Sequence, residues 1–141
     1  TCSDRYKKEV YTEFFLDSMN SKGAFKIIEK SNGKIIGSTR FKKIDNAENG
    51  IEIGWSFLSR DKWGGRFNRA MKNLMIDYAL QYVDHVIFYV GKENIRSQRA
   101  VQKLGGKIIA NPKFRNLVKD NESDLTFRIG KESWNKKEAS R

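Results

Sequence analysis

The chain has 141 residues and a formal net charge of +11, from 28 Lys and Arg against 17 Asp and Glu, with 38% hydrophobic and 32% charged residues. That is one ordinary soluble domain able to bury a core, with no apolar run of membrane-spanning length and no signal-peptide pattern. One cysteine, Cys2, excludes an internal disulfide framework and fits a reducing cytoplasm, while the single histidine, His85, excludes a His-rich metal site and most His-dependent triads.

Residues Tyr6 to Met19 carry Tyr6, Val10, Tyr11, Phe14, Phe15 and Met19 on one helical stripe. Ala24 to Lys30 alternates as a strand. Ser31-Asn32-Gly33 then signals a hairpin, because Asn-Gly tolerates the positive φ of a tight turn. Lys34 to Lys42 is the returning strand, and a polar connection, Asp45 to Gly50, leads to a strand over Ile51 to Leu58. There Ile51, Ile53, Trp55 and Phe57 are expected on one face, with Glu52, Gly54 and Ser56 on the other. A helix over about Asn68 to Val83 has a core-facing stripe of Met71, Leu74, Met75, Tyr78, Ala79 and Tyr82. His85 to Val90 reads as a strand covered on both faces. A second helix, about Asn94 to Leu104, stops at Gly105-Gly106, where a left-handed cap is easy. Strands near Lys107 to Ile109 and Leu125 to Ile129 finish the domain. The segment 131–141 is densest in positive charge and is expected to be a solvated basic tail around Trp134. Asn121-Glu122-Ser123 matches a glycosylation sequon by chance. The order implies one mixed α/β domain without repeats.

Between the strand ending at Leu58 and the next helix lies Trp63-Gly64-Gly65-Arg66-Phe67-Asn68-Arg69. Helix amino termini carry unpaired N–H groups and the positive end of the macrodipole, and glycine lets backbone approach an anion closely. The loop suits a phosphorylated ligand. Taken alone it also suits a plain strand-to-helix turn. The net charge allows nucleic-acid binding, an acidic substrate or merely solubility; the basic residues are scattered from Arg5 to Arg141 rather than collected in one block, which fits generic polyanion affinity better than a dedicated nucleic-acid reader.

Three segments together resemble the GNAT acetyltransferases, in the branch containing the ribosomal-protein N-terminal acetyltransferases. They are Glu52-Ile53-Gly54-Trp55-Ser56-Phe57-Leu58, then Trp63 to Lys72, then Asn94-Ile95-Arg96-Ser97 with Ala100 and Lys103-Leu104-Gly105. The likeness covers roughly residues 24 to 129. It implies a single-domain GNAT-like α/β fold, a central mixed and mostly antiparallel sheet with splayed middle strands and flanking helices. It also implies an acetyl-coenzyme A co-substrate and an amine acceptor, with no metal. Carried over, backbone near Phe57 and Leu58 would pair with the pantetheine arm. Amides from Gly64, Gly65, Arg66, Phe67 and Asn68 would hold the pyrophosphate, Trp63 would also border the cofactor, and Asn94 and Ser97 would face its far end. The chain departs from the pattern at Arg66, where a glycine is usual, at Ala70, where glutamate is frequent, and at Val101, in place of a tyrosine general acid. A first strand and helix are expected to be missing or reduced. Many relatives pair, which leaves a homodimer open.

Transfer of an acetyl group to an amine needs a base, donors for the developing oxyanion and a donor to the thiolate. Glu52 is the candidate base, its alternative role being a solvated strand-face acid. Ser97 is the candidate thiol donor, its alternative a capping serine. Trp55 is expected in the core, Tyr89 packed with a satisfied hydroxyl, and His85 at the surface or structural. Two functions follow: an acetyl-coenzyme A dependent N-acetyltransferase acting on a protein N-terminus or small amine, or a basic domain of this fold that binds nucleic acid or protein without catalysis.

Overall fold

Six strands form one mixed sheet in the order β1-β2-β3-β4-β6-β5. The computed structural model describes residues 6–44, 49–109 and 124–139, with side chains through residue 136. Cys2 and the Asn121-Glu122-Ser123 sequon lie outside the described residues. The elements are α1 (Lys8–Asn20), β1 (Ala24–Ile28), β2 (Ile35–Lys43), β3 (Gly50–Leu58), a 3-10 turn (Arg60–Lys62), α2 (Arg66–Ala79), β4 (His85–Gly91), α3 (Ile95–Lys103), β5 (Lys107–Ile108), β6 (Asp124–Gly130) and α4 (Lys131–Ala139). The expected mixed α/β domain is present, antiparallel except where β3 meets β4.

Local chemistry explains the joints. The β1–β2 hairpin closes at Gly33, with φ +71°, as the Asn-Gly pair demands. Asn32 Nδ2 donates to one Glu29 carboxylate oxygen at 3.0 Å, and Lys62 Nζ donates to the other at 3.0 Å. That shared acid ties the hairpin turn to the 3-10 turn after β3. Helix α3 ends at Gly105, φ +99°, and the Gly106 N–H donates back to Val101 O at 2.9 Å.

The core lies on one face of the sheet. Ile53, Val86, Phe88, Phe127 and Ile129 meet Met75 and Ile76 of α2, Val101 and Leu104 near α3, and Trp134 of α4. Two expectations are corrected there, and of the two alternatives for His85 the structural one holds. In α2 the buried set is Met71, Met75, Ile76 and Ala79, while Leu74, Tyr78 and Tyr82 are exposed. The helix is rotated so that fully buried Ile76 points inward, and Tyr78 stacks on Phe41 and against Tyr82 at the sheet's flank. The segment expected to be a solvated tail forms α4 over residues 131–139. Trp134 is buried in the core, and its Nε1–H donates to Asp77 Oδ1 at 2.6 Å. His85 is also buried. Its ring fills the space beside Gly50, the residue opposite it on β3, so a β-carbon at Gly50 would collide with the imidazole.

Helix α1 lies on the other face, where Phe14 meets Phe57 edge-on at 5.9 Å. Most of the stripe read along it, including Tyr11, Phe15 and Met19, is exposed. No helix among the described residues is long and apolar enough to cross a membrane. Because α4 contributes a buried indole and a charge-assisted bond, Trp134→Ala should lower stability by about 3–5 kcal/mol, and Asp77→Ala by about 1–2 kcal/mol. Urea unfolding followed by circular dichroism checks both; equal, negligible losses would show that α4 is not part of the cooperative core.

Candidate functional site

The parallel ladder between β3 and β4 consists of Gly50 with His85, Ile51 with Val86, and Glu52 with Ile87, and then it stops. Both strands continue, β3 to Leu58 and β4 to Gly91. Past Glu52 they diverge, leaving a wedge with one backbone edge on each side. Strand edges without a partner are ready to pair with another extended chain.

A bulge produces the divergence. Ser38 faces Phe57 and Arg40 faces Gly54, so Thr39 alone opposes both Trp55 and Ser56. Trp55 holds a left-handed backbone, φ +49°, an outlier for a bulky side chain. The extra residue inverts the alternation read from the sequence. Ser56, bonded to Thr39 at 2.8 Å, and Leu58 turn towards the core side, while Trp55 and Phe57 join Glu52 on the α1 face. Trp55 is therefore not a core residue. Its ring carries the Arg40 guanidinium at 4.0 Å and the Lys42 ammonium at 5.3 Å.

Since β3 and β4 are parallel, the two helices that follow them begin at the same end of the sheet. Helix α2 starts after Gly64, φ +69°, and its N-cap Gly65 offers no side chain to the first-turn N–H groups. A β-carbon on either glycine would meet nothing within 4 Å, so the cradle is open to solvent. Trp63 frames it: the indole N–H donates to Leu58 O at 2.8 Å, and Arg96 of α3 lies 4.7 Å from the ring centroid. Lys62, held by Glu29, and Arg66 both approach the Phe67 ring, at 5.0 and 5.6 Å. The start of α3 is closed by contrast. Asn94 Oδ1 accepts from the Ser97 N–H at 3.2 Å, and Gln98 Nε2 donates to Gly91 O and Lys92 O.

At the vertex of the wedge sits Glu52, 6% exposed, with Oε2 unpartnered among the described residues. Burial pushes its pKa up to about 7, against the pull of Lys42 and Arg40; Asp124 adds to the rise. Tyr89, half-buried on the same face, also has a buried hydroxyl without a partner among the described residues, contrary to the satisfied hydroxyl expected. Burial first and then Glu52 push its pKa up to about 12, so it stays a proton donor. On the α2 side, Lys72 Nζ lies 4.9 Å from the Phe88 ring, and desolvation pushes its pKa down to about 8.

The fold thus gathers Glu52, Phe57, Leu58, Trp63, Gly64, Gly65, Arg66, Phe67 and Asn68 around the wedge and its open end, with Asn94 and Ser97 on the neighbouring helix start. Two of them have local duties as well: Leu58 O is taken by Trp63, and Asn94 caps α3. The Ser97 hydroxyl makes no hydrogen bond among the described residues. Val101 is in the core, so no hydroxyl occupies that position. Arg96 and Gln98 were missed in the sequence, although they lie in the first turn of a recognisable helix. Arg40 and Lys42 were missed because their link to Trp55 depends on the bulge.

A family model for an acetyltransferase (GNAT) domain matches residues 2–107. Among solved structures, the chain is similar to a GCN5-related N-acetyltransferase from Brucella melitensis, at 20% identity and TM-score 0.74, over 92% of this chain and 61% of that one. It is also similar to a probable GNAT-family acetyltransferase from Chromobacterium violaceum, at 15% identity and TM-score 0.73, over 92% of this chain and 67% of that one. A spermidine N-acetyltransferase chimera based on Vibrio cholerae matches at 13% identity and TM-score 0.65, over 90% of this chain and 78% of that one. At these identities the likeness is one of fold. A comparison with curated proteins finds no significant match.

The environment of Glu52 has a consequence for stability. A carboxyl whose folded pKa is raised contributes stability that is full below the unfolded value, 4.5, and lost as pH rises through about 7. Glu52→Gln mimics the protonated acid at every pH. Its stability relative to the parent chain should be near zero at pH 4, rise between pH 5 and 8, and level off at a gain of up to about 3 kcal/mol. Urea unfolding across that range checks this, and a pH-independent difference would show that Glu52 is not desolvated.

Proposed function

This chain belongs to the GNAT acetyltransferase family, and from that premise we propose that it moves an acetyl group from acetyl-coenzyme A to a primary amine by direct attack in a ternary complex. The observation that carries the reading is the wedge between β3 and β4, with an uncapped helix start at its mouth and a buried, unpartnered acid at its vertex. The residues present fit the co-substrate: an open Gly64-Gly65 cradle and dipole for a pyrophosphate, and strand edges beyond Glu52 for an amide-bearing arm. When bound, acetyl-coenzyme A supplies an acetyl thioester.

Three tasks fall to the chain's own residues. Glu52, with a pKa of about 7, is ionised in a large fraction at neutral pH and accepts the proton the attacking amine must lose. A new N–C bond replaces the C–S bond, and the departing sulfur needs a proton or a donor. Ser97 is the donor assigned by motif, and Tyr89 is a second hydroxyl on the Glu52 face, kept protonated by its raised pKa. Arg66, at the first turn of α2 and exposed, adds a cation beside the cradle, where it favours phosphate. The acceptor class, a protein N-terminus or a small amine, is the one implied by the branch that the three motifs resemble.

Acetyl-coenzyme A should stabilise the chain saturably in a thermal shift assay, and Gly64→Val should abolish that shift, because valine is strained at φ +69° and its branch enters the cradle. Absence of any shift at millimolar co-substrate, together with tight, salt-sensitive RNA binding, would instead support the basic binding module that the +11 charge allows. Glu52→Gln should cut kcat by about 100-fold or more and leave the co-substrate shift intact. In the parent chain the acid limb of kcat should fall away below about pH 7, where Glu52 protonates. An unchanged kcat and profile in the variant removes Glu52 from the reaction.

A further inference from the structure

We infer that the acceptor is an amine bearing an acid group, a carboxylate or phosphate, within the reach of one sugar ring or one further residue from its nitrogen. The inference rests on the acetyl-transfer reading of the wedge. It comes from what the Trp55 bulge assembles on the α1 face. Lys42 stands directly opposite Glu52 and Arg40 opposite Gly54, so both cations share a face with the candidate base. Directly opposed side chains start about 5 Å apart, and diagonal ones about 7–8 Å. Gly54, between Glu52 and Trp55, brings no side chain into that interval, and Glu52 Oε1 already lies 3.3 Å from where its β-carbon would be.

The charges are arranged for a zwitterion. Arg40 is buried, its guanidinium 4.0 Å from the Trp55 ring and 5.8 Å from the Phe14 ring. Its planar cation is held in one place by aromatic faces. Lys42 is exposed, rests on the same indole at 5.3 Å, and has no acid within ion-pair distance among the described residues. It does not bridge to Glu52 across the strands. Lys42 thus keeps its charge beside the indole and opposite Glu52, where an anion can pair with it. An acceptor nitrogen presented to Glu52 would therefore carry its acid group towards Lys42 and Arg40. A polyamine would carry a second cation there and be repelled; a neutral amine gains nothing.

The test compares kcat/KM, by release of free thiol, for matched acceptors: glucosamine 6-phosphate against glucosamine, alanyl-aspartyl-glycinamide against alanyl-asparaginyl-glycinamide, and spermidine. The acid-bearing member of at least one pair should exceed its neutral partner by about tenfold or more, the worth of one charge-assisted contact. Lys42→Glu should erase or invert that ratio, and Lys42→Arg should keep it. A response confined to the sugar pair assigns a free phosphorylated amine; one confined to the peptide pair assigns an acidic N-terminus. Equal rates within both pairs, spermidine ahead of both, a ratio that survives in Lys42→Glu, or turnover of none of these by a chain that acetyl-coenzyme A stabilises overturns the anionic acceptor and leaves co-substrate binding standing. No thiol release and no stabilisation by acetyl-coenzyme A overturns the transfer reading itself, and this inference with it.

Discussion

Two parallel strands that begin hydrogen-bonded and cannot stay so are the constraint on which the rest of this molecule depends. Three residue pairs hold β3 to β4, and the bulge at Trp55 then bends β3 away. A left-handed backbone on a bulky residue costs on the order of 1–2 kcal/mol. The strain is offset locally: the indole stacks under Arg40, and the inverted alternation delivers Leu58 into a buried position. What the bulge leaves behind is backbone whose donors and acceptors have no strand to meet, and such groups favour a ligand that is itself an extended, amide-bearing chain.

The same parallel start sets the electrostatics. Because β3 and β4 point the same way, the helices after them open at one end of the sheet, with their positive dipole ends together. The two starts are treated differently. Helix α3 gives its Ser97 N–H to the Asn94 side chain, whereas α2 begins at glycine and has no side-chain cap. Trp63, bonded to Leu58 and stacked by Arg96, fixes the intervening loop to both strand end and neighbouring helix. The uncapped helix start of α2 and the buried acid Glu52 therefore stand at the two ends of one wedge.

How much of this was legible in the sequence depended on how local the cause was. Asn32-Gly33, Gly64-Gly65 and Gly105 each encode a positive φ within one or two residues, and each turn or cap is where it was read. The order of elements, and the acid at Glu52, followed from periodicity and motif. The bulge was invisible because Ile51, Ile53, Trp55 and Phe57 form an unbroken alternation, and no glycine marks the left-handed residue. The rotation of α2 was equally hidden: Tyr78 and Tyr82 continue the three-and-four spacing of Met71 and Met75, and only the sheet decides whether they or Ile76 are covered. Trp134 sat among charges that read as solvated, yet it packs into the core and bonds Asp77, which is remote in sequence. The raised pKa of Glu52 and the buried hydroxyl of Tyr89 arise from tertiary packing on one face of the sheet, to which neither local pattern contributes.

The three tryptophans occupy three different settings, and that gives the molecule built-in optical reporters. Trp134 is sealed in the core and hydrogen-bonded, so its emission should be blue-shifted and indifferent to ligands while the chain is folded. Trp63 borders the glycine cradle and is half exposed, placing it to respond to whatever fills the mouth. Trp55 lies beside two cations on the opposite face from the core, placing it to respond to whatever fills that face. With each replaced in turn by phenylalanine, intrinsic fluorescence would separate the filling of the mouth from the filling of the α1 face, and so reveal the order in which the two partners arrive without any added label.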